Sequence, residues 1–512
     1  MHYENINTTI AAIATSLTPA GIGIIRISGD EAFKIASKIF VDKNKNPINI
    51  NESHKIKYGF IYDKNKNEFI DEVILLPMKA PHSYTAEDVI EIQSHGSIIV
   101  LKRILDLVVE NGTRLAEPGE FTKRAFLNGR IDLSKAESVA DLISSKNEYA
   151  RKASLNELKG GMSNKINEYR KIILEDVAFI EAALDDPEHI EIADFKDDKL
   201  KNHIYNIKNE LNHMIENYDN GRVIKEGINT CIIGKPNVGK SSLLNVLLNE
   251  ERAIVTDIAG TTRDVIKESI NLGGITLNII DTAGIRENKN GNEDLDKVES
   301  IGIEKAKAEA KNADLILYVL DATKEIDDED KKLIEELKNK KIIFILNKSD
   351  LLDSTCSGEL KFCRGELASP LSTPVGADII RPLQSANPSI YNFRRGELSE
   401  GAPSGVTSPF IYFSALTRSG LAELIDTITK MFINNEIDFN TEIFISNERK
   451  LNLIKDSVNS LSNVEEGINS GISEDFLTID LNDAYVSLSK VLGEEIDDDL
   501  ANEIFSKFCM GK

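Results

Sequence analysis

Gly234-Lys235-Pro236-Asn237-Val238-Gly239-Lys240-Ser241 is the stretch that decides the fold. It has the spacing G-x-x-x-x-G-K-S/T, follows the β-rich run Thr230-Cys231-Ile232-Ile233 and opens a helix expected from about Ser242. Glycines let the backbone curl until successive N–H groups face phosphate oxygens, and the helix N-terminus adds favourable partial charge. Lys240 is expected to reach the β- and γ-phosphates and Ser241 to ligate Mg²⁺. Asn237, Val238, Gly239 and Ser242 complete the expected phosphate cradle.

Three further pieces follow in a fixed order. Asp281-Thr282-Ala283-Gly284 ends the next strong strand; its aspartate can hold Mg²⁺ through water and its glycine N–H can sense the γ-phosphate. Asn347-Lys348-Ser349-Asp350 ends a later strand. Asp350 can accept from the N1–H and the exocyclic amine of guanine, a donor pair that adenine lacks, so ATP would leave a carboxylate unpaired. Ser414-Ala415-Leu416 offers a backbone donor to guanine O6. Taken in order, the four pieces predict a guanine-nucleotide site.

The chain around them alternates apolar runs with charged helices. Thr276 to Ile280, Leu315 to Leu320 and Lys341 to Leu346 are nearly all apolar, which predicts a mostly parallel sheet with helices on both faces over residues 223–434. Residues 1–125 mix strand-like runs, Ile22 to Ile27 and Val73 to Pro77, with a helical pattern from Ile98 to Val109, so a small α+β domain is expected there. Residues 126–222 and 435–512 read as helical, with one long helical stretch from Glu148 to Leu184 stopped before Pro187. The expectation is a multidomain α/β protein in which the nucleotide-binding domain is inserted within a helical domain. Residues 354–408 break the composition with clustered Pro, Ser and Gly and a near-repeat, Phe362 to Leu367 returning as Phe393 to Leu398. That segment is expected to be a disordered insertion that bulges outward, because loop-closure entropy grows slowly with length.

Bulk composition narrows the class. The chain has 512 residues, 41% hydrophobic and 28% charged, the profile of a globular protein with about three domains. There is no leader-like N-terminus and no uncharged apolar run long enough to span a bilayer, so a cytoplasmic protein without a membrane segment is expected. Cys231, Cys356, Cys363 and Cys509 are too few and too scattered for a disulfide scaffold or a zinc site. The net charge of −23, from 84 acidic and 61 basic residues, argues against a surface coated for nucleic acid.

Stretches outside the nucleotide motifs match a family. Ile22 to Gly29, Tyr84 to Glu91, Glu117 to Phe121, Arg124 to Arg130 and the terminal Phe508-Cys509-Met510-Gly511-Lys512 resemble the bacterial tRNA modification GTPases of the MnmE (TrmE) family, within the TrmE-Era-EngA-like potassium-activated GTPases. Thr256 to Asp264 resembles their switch I loop. The resemblance implies K⁺ bound by Asn237, Thr256, Ile258 and Thr261, Mg²⁺ bound by Ser241 and Thr262, and a catalytic Glu299 that orients the attacking water. By itself Asn237 reads as a turn asparagine and Glu299 as a solvated helix acid. Ile285-Arg286 stands where Ras-like proteins carry a glutamine, so another charge stabiliser is required. Relative to the family, Glu287 to Leu295 is longer and Gly493 to Asp497 shorter.

The resemblance also implies that the N-terminal domain binds 5-formyltetrahydrofolate or a related folate through Arg26, Glu91, Arg130 and Lys512, and that it dimerises. The function implied is GTP hydrolysis coupled to placing an aminomethyl or carboxymethylaminomethyl group on carbon 5 of the wobble uridine of certain tRNAs. The implied partners are a second copy of the chain, an FAD-dependent MnmG-type protein in a heterotetramer or larger complex, and tRNA. A rival reading is a regulatory potassium-activated GTPase in ribosome assembly. Cys509 reads equally as a reactive thiol and as a packing residue.

Overall fold

The computed structural model describes residues 8–186, 199–250, 268–280, 310, 313–324, 326–337, 340–352, 408–432, 442–496, 498–508 and 511. Thr256, Ile258, Thr261, Thr262, Asp281, Thr282, Ala283, Gly284, Glu299, Cys356, Cys363, Cys509 and Lys512 lie outside the described residues, as does the 354–408 insertion apart from Ser408. The chain divides into two compact units: residues 1–144, 152–218 and 440–512 form one, and residues 145–151 and 219–439 the other.

The first unit begins with strands β1 (Ile10–Ile13) and β2 (Ala20–Ser28), helix α1 (Ala32–Ile39), then β3 (Phe40–Val41), β4 (Lys57–Asp63), β5 (Glu68–Met78) and β6 (Val89–Gly96). Helix α2 (Ile98–Glu110) and β7 (Arg114–Leu115) complete the motif. The sheet order is β3-β4-β5-β6-β2-β1-β7, antiparallel except for the β1–β7 pair. Along β2 the side chains alternate faces. Ile25 and Ile27 enter the core under α1 and α2, which turns Arg26 to the opposite face, where Ala12 and Phe121 pack. An arginine inside an apolar strand is thus explained by the two-residue period.

Helices follow: α3 (Glu120–Leu127), α4 (Leu133–Ser144), α5 (Glu148–Leu158), α6 (Gly161–Asp185) and α7 (Lys201–Glu216). The helical stretch expected from Glu148 to Leu184 is helical and forms two helices. Gly160, at φ 98°, takes a left-handed conformation that ends one and starts the next. Near the C-terminus of the unit, Ile454 and Leu461 meet Leu481 and Leu488 from the following helix in the same core as Ile173 and Leu211.

In that helical body, Asp176 receives the imidazole Nδ1 of His203 at 2.9 Å. Burial raises the Asp176 carboxyl to about 6 despite the His203 contact, which pulls it down. A carboxyl whose folded pKa exceeds its unfolded value favours folding below the unfolded pKa and loses that contribution as pH rises through about 6. Asp176→Asn is therefore expected to raise stability above pH 6, on the order of 1 kcal/mol. The gain should vanish near pH 4. Paired melting curves of wild type and variant at acid and neutral pH check this.

The second unit opens with α8 (Tyr218–Glu226) and β8 (Ile228–Ile233), then α9 (Lys240–Glu250), β9 (Glu268–Leu272), β10 (Ile275–Ile280), β11 (Leu315–Asp321), α10 (Asp328–Glu336), β12 (Lys341–Asn347), β13 (Phe410–Tyr412) and α11 (Leu421–Phe432). The order β13-β12-β11-β8-β10-β9 is parallel except for the β9–β10 edge. Every β11 side chain is buried, because both faces of the sheet are covered. This is the mostly parallel sheet that the apolar runs predict. Helix α9 starts at Lys240, two residues before the expected position.

The final helices of the chain, α12 (Glu448–Asn469), α13 (Glu474–Leu492) and α14 (Asp498–Ser506), belong to the first unit. Gly119 has φ 70°, and a Cβ there would lie 2.3 Å from the Phe505 carbonyl oxygen. A glycine is thus required where α3 meets α14.

Candidate functional site

The phosphate loop runs from the end of β8 to the start of α9. Gly234 sits so close to β11 that a Cβ would lie 2.3 Å from the Val319 carbonyl oxygen. Asn237 adopts φ 64° and Gly239 φ 100°, so the loop reverses twice within three residues. Val238 is buried, whereas Asn237, Ser241 and Ser242 are exposed at the loop's surface. Lys240 Nζ donates to the carbonyls of Gly234 at 2.6 Å and Lys235 at 2.7 Å. Burial pushes its ammonium below the usual lysine range. An anionic phosphate beside it would restore the charged form.

The residues expected to read the base converge on the same end of the sheet. Asn347 is buried at the end of β12; its Nδ2 donates to the Val238 carbonyl at 2.8 Å, and its Oδ1 accepts from Ala415 N at 3.4 Å. One amide thereby ties the phosphate loop to the Ser414-Ala415 loop. It also explains Gly239, where a Cβ would sit 2.0 Å from Asn347 Nδ2. Ser414 Oγ donates to Asp350 Oδ1 and accepts from Thr417 N at 3.2 Å, which fixes the Asp350 carboxylate. Ser349 N donates to Phe413 O at 3.1 Å and Phe413 N to Leu346 O at 2.9 Å, so both sides of the reading loop are fastened to the sheet.

Lys348 was expected in the site, but the acids that hold it and Lys235 (Asp321, Asp327 and Asp330) were not legible as site residues. Lys348, at φ 63°, donates to Asp321 Oδ2 at 2.6 Å, and Asp321 Oδ1 accepts from Thr323 N and Thr323 Oγ1. Lys235 pairs with Asp327 and, at 3.2 Å, with Asp330, whose other oxygen accepts from Tyr318 OH at 2.8 Å. The Lys235 ammonium holds the Asp327 carboxyl down at about 2. The available signal was positional: an acid at the C-terminal end of a parallel strand, and acids at the start of the next helix, lie where α/β sheets place ligands.

A second cluster lies on the open face of the N-terminal sheet. Arg26 and Glu91 are cross-strand partners on β2 and β6, with Nε and Nη2 of Arg26 at 2.9 and 2.8 Å from Oε1 of Glu91. Arg26 lies 5.5 Å from the ring centroids of Tyr84 and Phe121, and Arg130 lies 5.1 Å from that of Tyr84. Nη1 of Arg26 donates to the Gly511 carbonyl at 3.0 Å. Gly511 is buried at φ 84°, and a Cβ would meet the Ile13 carbonyl oxygen at 2.5 Å. Gly511 is therefore seated on the first strands of the chain. Beneath it, Arg124 is buried and pairs with Glu87 at 3.1 Å and Glu120 at 3.0 Å, and it donates to Thr8 O at 2.8 Å. Sequence reading placed Arg124 only within a matching stretch and gave it no role. Among the described residues, no helix is long and apolar enough to cross a membrane.

A strand–loop–helix phosphate loop with a half-buried lysine, joined through Asn347 to the Ser414-Ala415 loop that holds the Asp350 carboxylate, defines a P-loop GTPase, a hydrolase acting on GTP. Residues 9–130 match the model of the GTP-binding protein TrmE N-terminus, and residues 133–509 match that of the MnmE helical domain. The chain is 46% identical over 505 residues to the tRNA modification GTPase MnmE of Lachnoclostridium phytofermentans, covering 98% of this chain and 99% of that one. The proteins of the same description from Acetivibrio thermocellus and Ligilactobacillus salivarius are 42% and 40% identical over 504 residues, covering 98% of this chain and 99% and 98% of theirs. The chain belongs to the MnmE family of tRNA modification GTPases.

Proposed function

We propose that this GTPase drives modification of carbon 5 of the wobble uridine of certain tRNAs, adding an aminomethyl or carboxymethylaminomethyl group from a formyl-tetrahydrofolate donor. It would act as a homodimer in the cytoplasm, with an FAD-dependent partner that supplies redox chemistry and much of the tRNA contact. The observation that carries this reading is the Arg26 to Gly511 bond. It places Gly511, from the terminal Cys-x-Gly-Lys sequence, beside the Arg26 and Glu91 pair, a convergence that a ribosome-assembly switch would not need.

The residues present fit the groups involved. Arg26 and Arg130 flank the partly exposed Tyr84 ring, which suits a flat pterin with a carboxylate-bearing tail. Glu91, held by Arg26, would accept from pterin N–H groups, and Lys512 would pair with the tail. Folate supplies the one-carbon unit when bound. At the GTP site, Ser241 and Thr262 would hold Mg²⁺, and Asn237, Thr256, Ile258 and Thr261 would hold K⁺. Both sets consist of oxygen donors, as hard cations need. These cations would supply positive charge against the phosphates when bound. Lys240 would orient the β- and γ-phosphates, Asp281 and Gly284 would position the Mg²⁺ water and the γ-phosphate, and Glu299 would orient the attacking water.

GTP hydrolysis in K⁺ against Na⁺ at equal ionic strength tests the reading. Hydrolysis is expected to be at least about a hundredfold faster in K⁺, with the advantage lost in Glu299→Ala. Equal rates in the two salts would overturn the cation assignment.

A further inference from the structure

Helix α13 carries two apolar stripes, and only one is packed. Leu477, Leu481, Ala484 and Leu488, spaced i, i+4, i+7 and i+11, are buried in the helical core. Phe476 and Ile479, on another face of the helix, are 61% and 56% exposed, and Ile472, in the turn just before it, is 43% exposed. A helix with one covered face ordinarily turns polar residues outward. Three large apolar side chains in a row at a hairpin tip mark an interaction site.

The tip is also preformed. Ser470 N and Ile472 N close on Glu466 O and Gly467 O, both at 2.9 Å, and Phe476 N closes on Ser473 O at 3.1 Å. Gly467 lets α12 and α13 meet, since a Cβ there would lie 2.7 Å from Leu477 Cδ2. Such a surface costs little ordering entropy when a partner arrives.

Charge decides what that partner is. Between Lys455 and Lys490 the chain contains no Lys, Arg or His, whereas acids recur, with Glu474, Asp475, Asp480 and Asp483 bordering the apolar stripe. Of the cations on the flanking helices, Lys208 on α7 is held by Glu465 at 2.6 Å, and Arg170 on α6 by Glu494 and the Tyr485 hydroxyl. An acidic rim repels a second copy of the same face, an anionic lipid surface and a nucleic acid. It attracts a cation-rich segment whose own apolar residues recur at helical spacing.

We propose that the tip of the α12–α13 hairpin docks a basic amphipathic helix of another protein. The apolar stripe supplies affinity, and the acidic rim supplies steering and selectivity.

The test uses the full chain and a fluorescent amphipathic helix peptide built of Leu and Lys. The comparison ligands are a Leu/Glu peptide of the same pattern, phosphatidylserine vesicles and tRNA. Phe476→Ser/Ile479→Ser removes the apolar stripe without changing charge. At about physiological ionic strength it is expected to weaken Leu/Lys peptide binding at least about tenfold, with GTP hydrolysis and melting temperature unchanged. Asp480→Asn/Asp483→Asn should slow association and flatten its salt dependence. Unchanged peptide affinity in the serine variant, or no peptide binding by the wild type, would overturn the proposal. So would binding of vesicles, tRNA or a second copy that the serine variant abolishes.

Discussion

Asp350→Asn is expected to lower GTP affinity by about a thousandfold while creating affinity for xanthosine triphosphate. Asp350 is already oriented, because its Oδ1 takes the Ser414 hydroxyl and the following loop is fastened through Phe413. Its carboxylate presents acceptors only, which match the N1–H and exocyclic amine of guanine. Asparagine replaces one acceptor with an amide donor that points at another donor. Xanthine carries a carbonyl where guanine carries the amine, so the same asparagine matches it. Titration with fluorescent guanine and xanthine diphosphates reads both halves of the prediction. A variant that lost both nucleotides would indicate a collapsed loop, and one that kept guanine preference would remove Asp350 from base reading.

The second large effect is on stability. Lys450 is fully buried on α12, in contact with Glu157, with Glu137 at 3.0 Å and Ser446 Oγ at 3.2 Å. Burial alone pushes its ammonium pKa down, but Glu157 and Glu137 outweigh burial and the net shift is upward. Arg449 shares Glu137 at 3.1 Å, and Ser134 donates to Glu157 at 2.6 Å. Lys450→Met would leave two buried carboxylates facing each other with one remaining cation. A loss of about 3–5 kcal/mol is expected, because an uncompensated buried charge is costlier than the pair is favourable. Chemical denaturation followed by circular dichroism measures it. The triple variant Lys450→Met/Glu137→Gln/Glu157→Gln should recover most of the loss, since the desolvated charges leave together.

Sequence made the phosphate loop, the Asn347–Asp350 motif and the parallel sheet legible, because each depends on local spacing that a linear reading retains. It gave Lys240 and Ser414 their places for the same reason. What it could not give was partnership across distance. Asp321 holding Lys348, Asp330 joining Tyr318 to Lys235, and Arg124 knitting Glu87 to Glu120 require chain segments to be brought together by tertiary packing. Arg26 was legible as unusual, but only the strand period and the Gly511 contact explain which face it serves. The break within the helical Glu148–Leu184 stretch was not legible because helix propensity is summed over many residues, whereas a break needs only one left-handed glycine.

The parallel pairing of β12 with β13, together with the Phe413 bonds to Leu346 and Ser349, grips the chain on both sides of residues 353–407. The places of Asn347, Ser349 and Ser414 are therefore set by the ladder on either side of the chain between Leu352 and Ser408. In evolutionary terms this makes the position a neutral port: in-frame sequence can enter or leave the gene there in one step, without an intermediate that has lost guanine recognition.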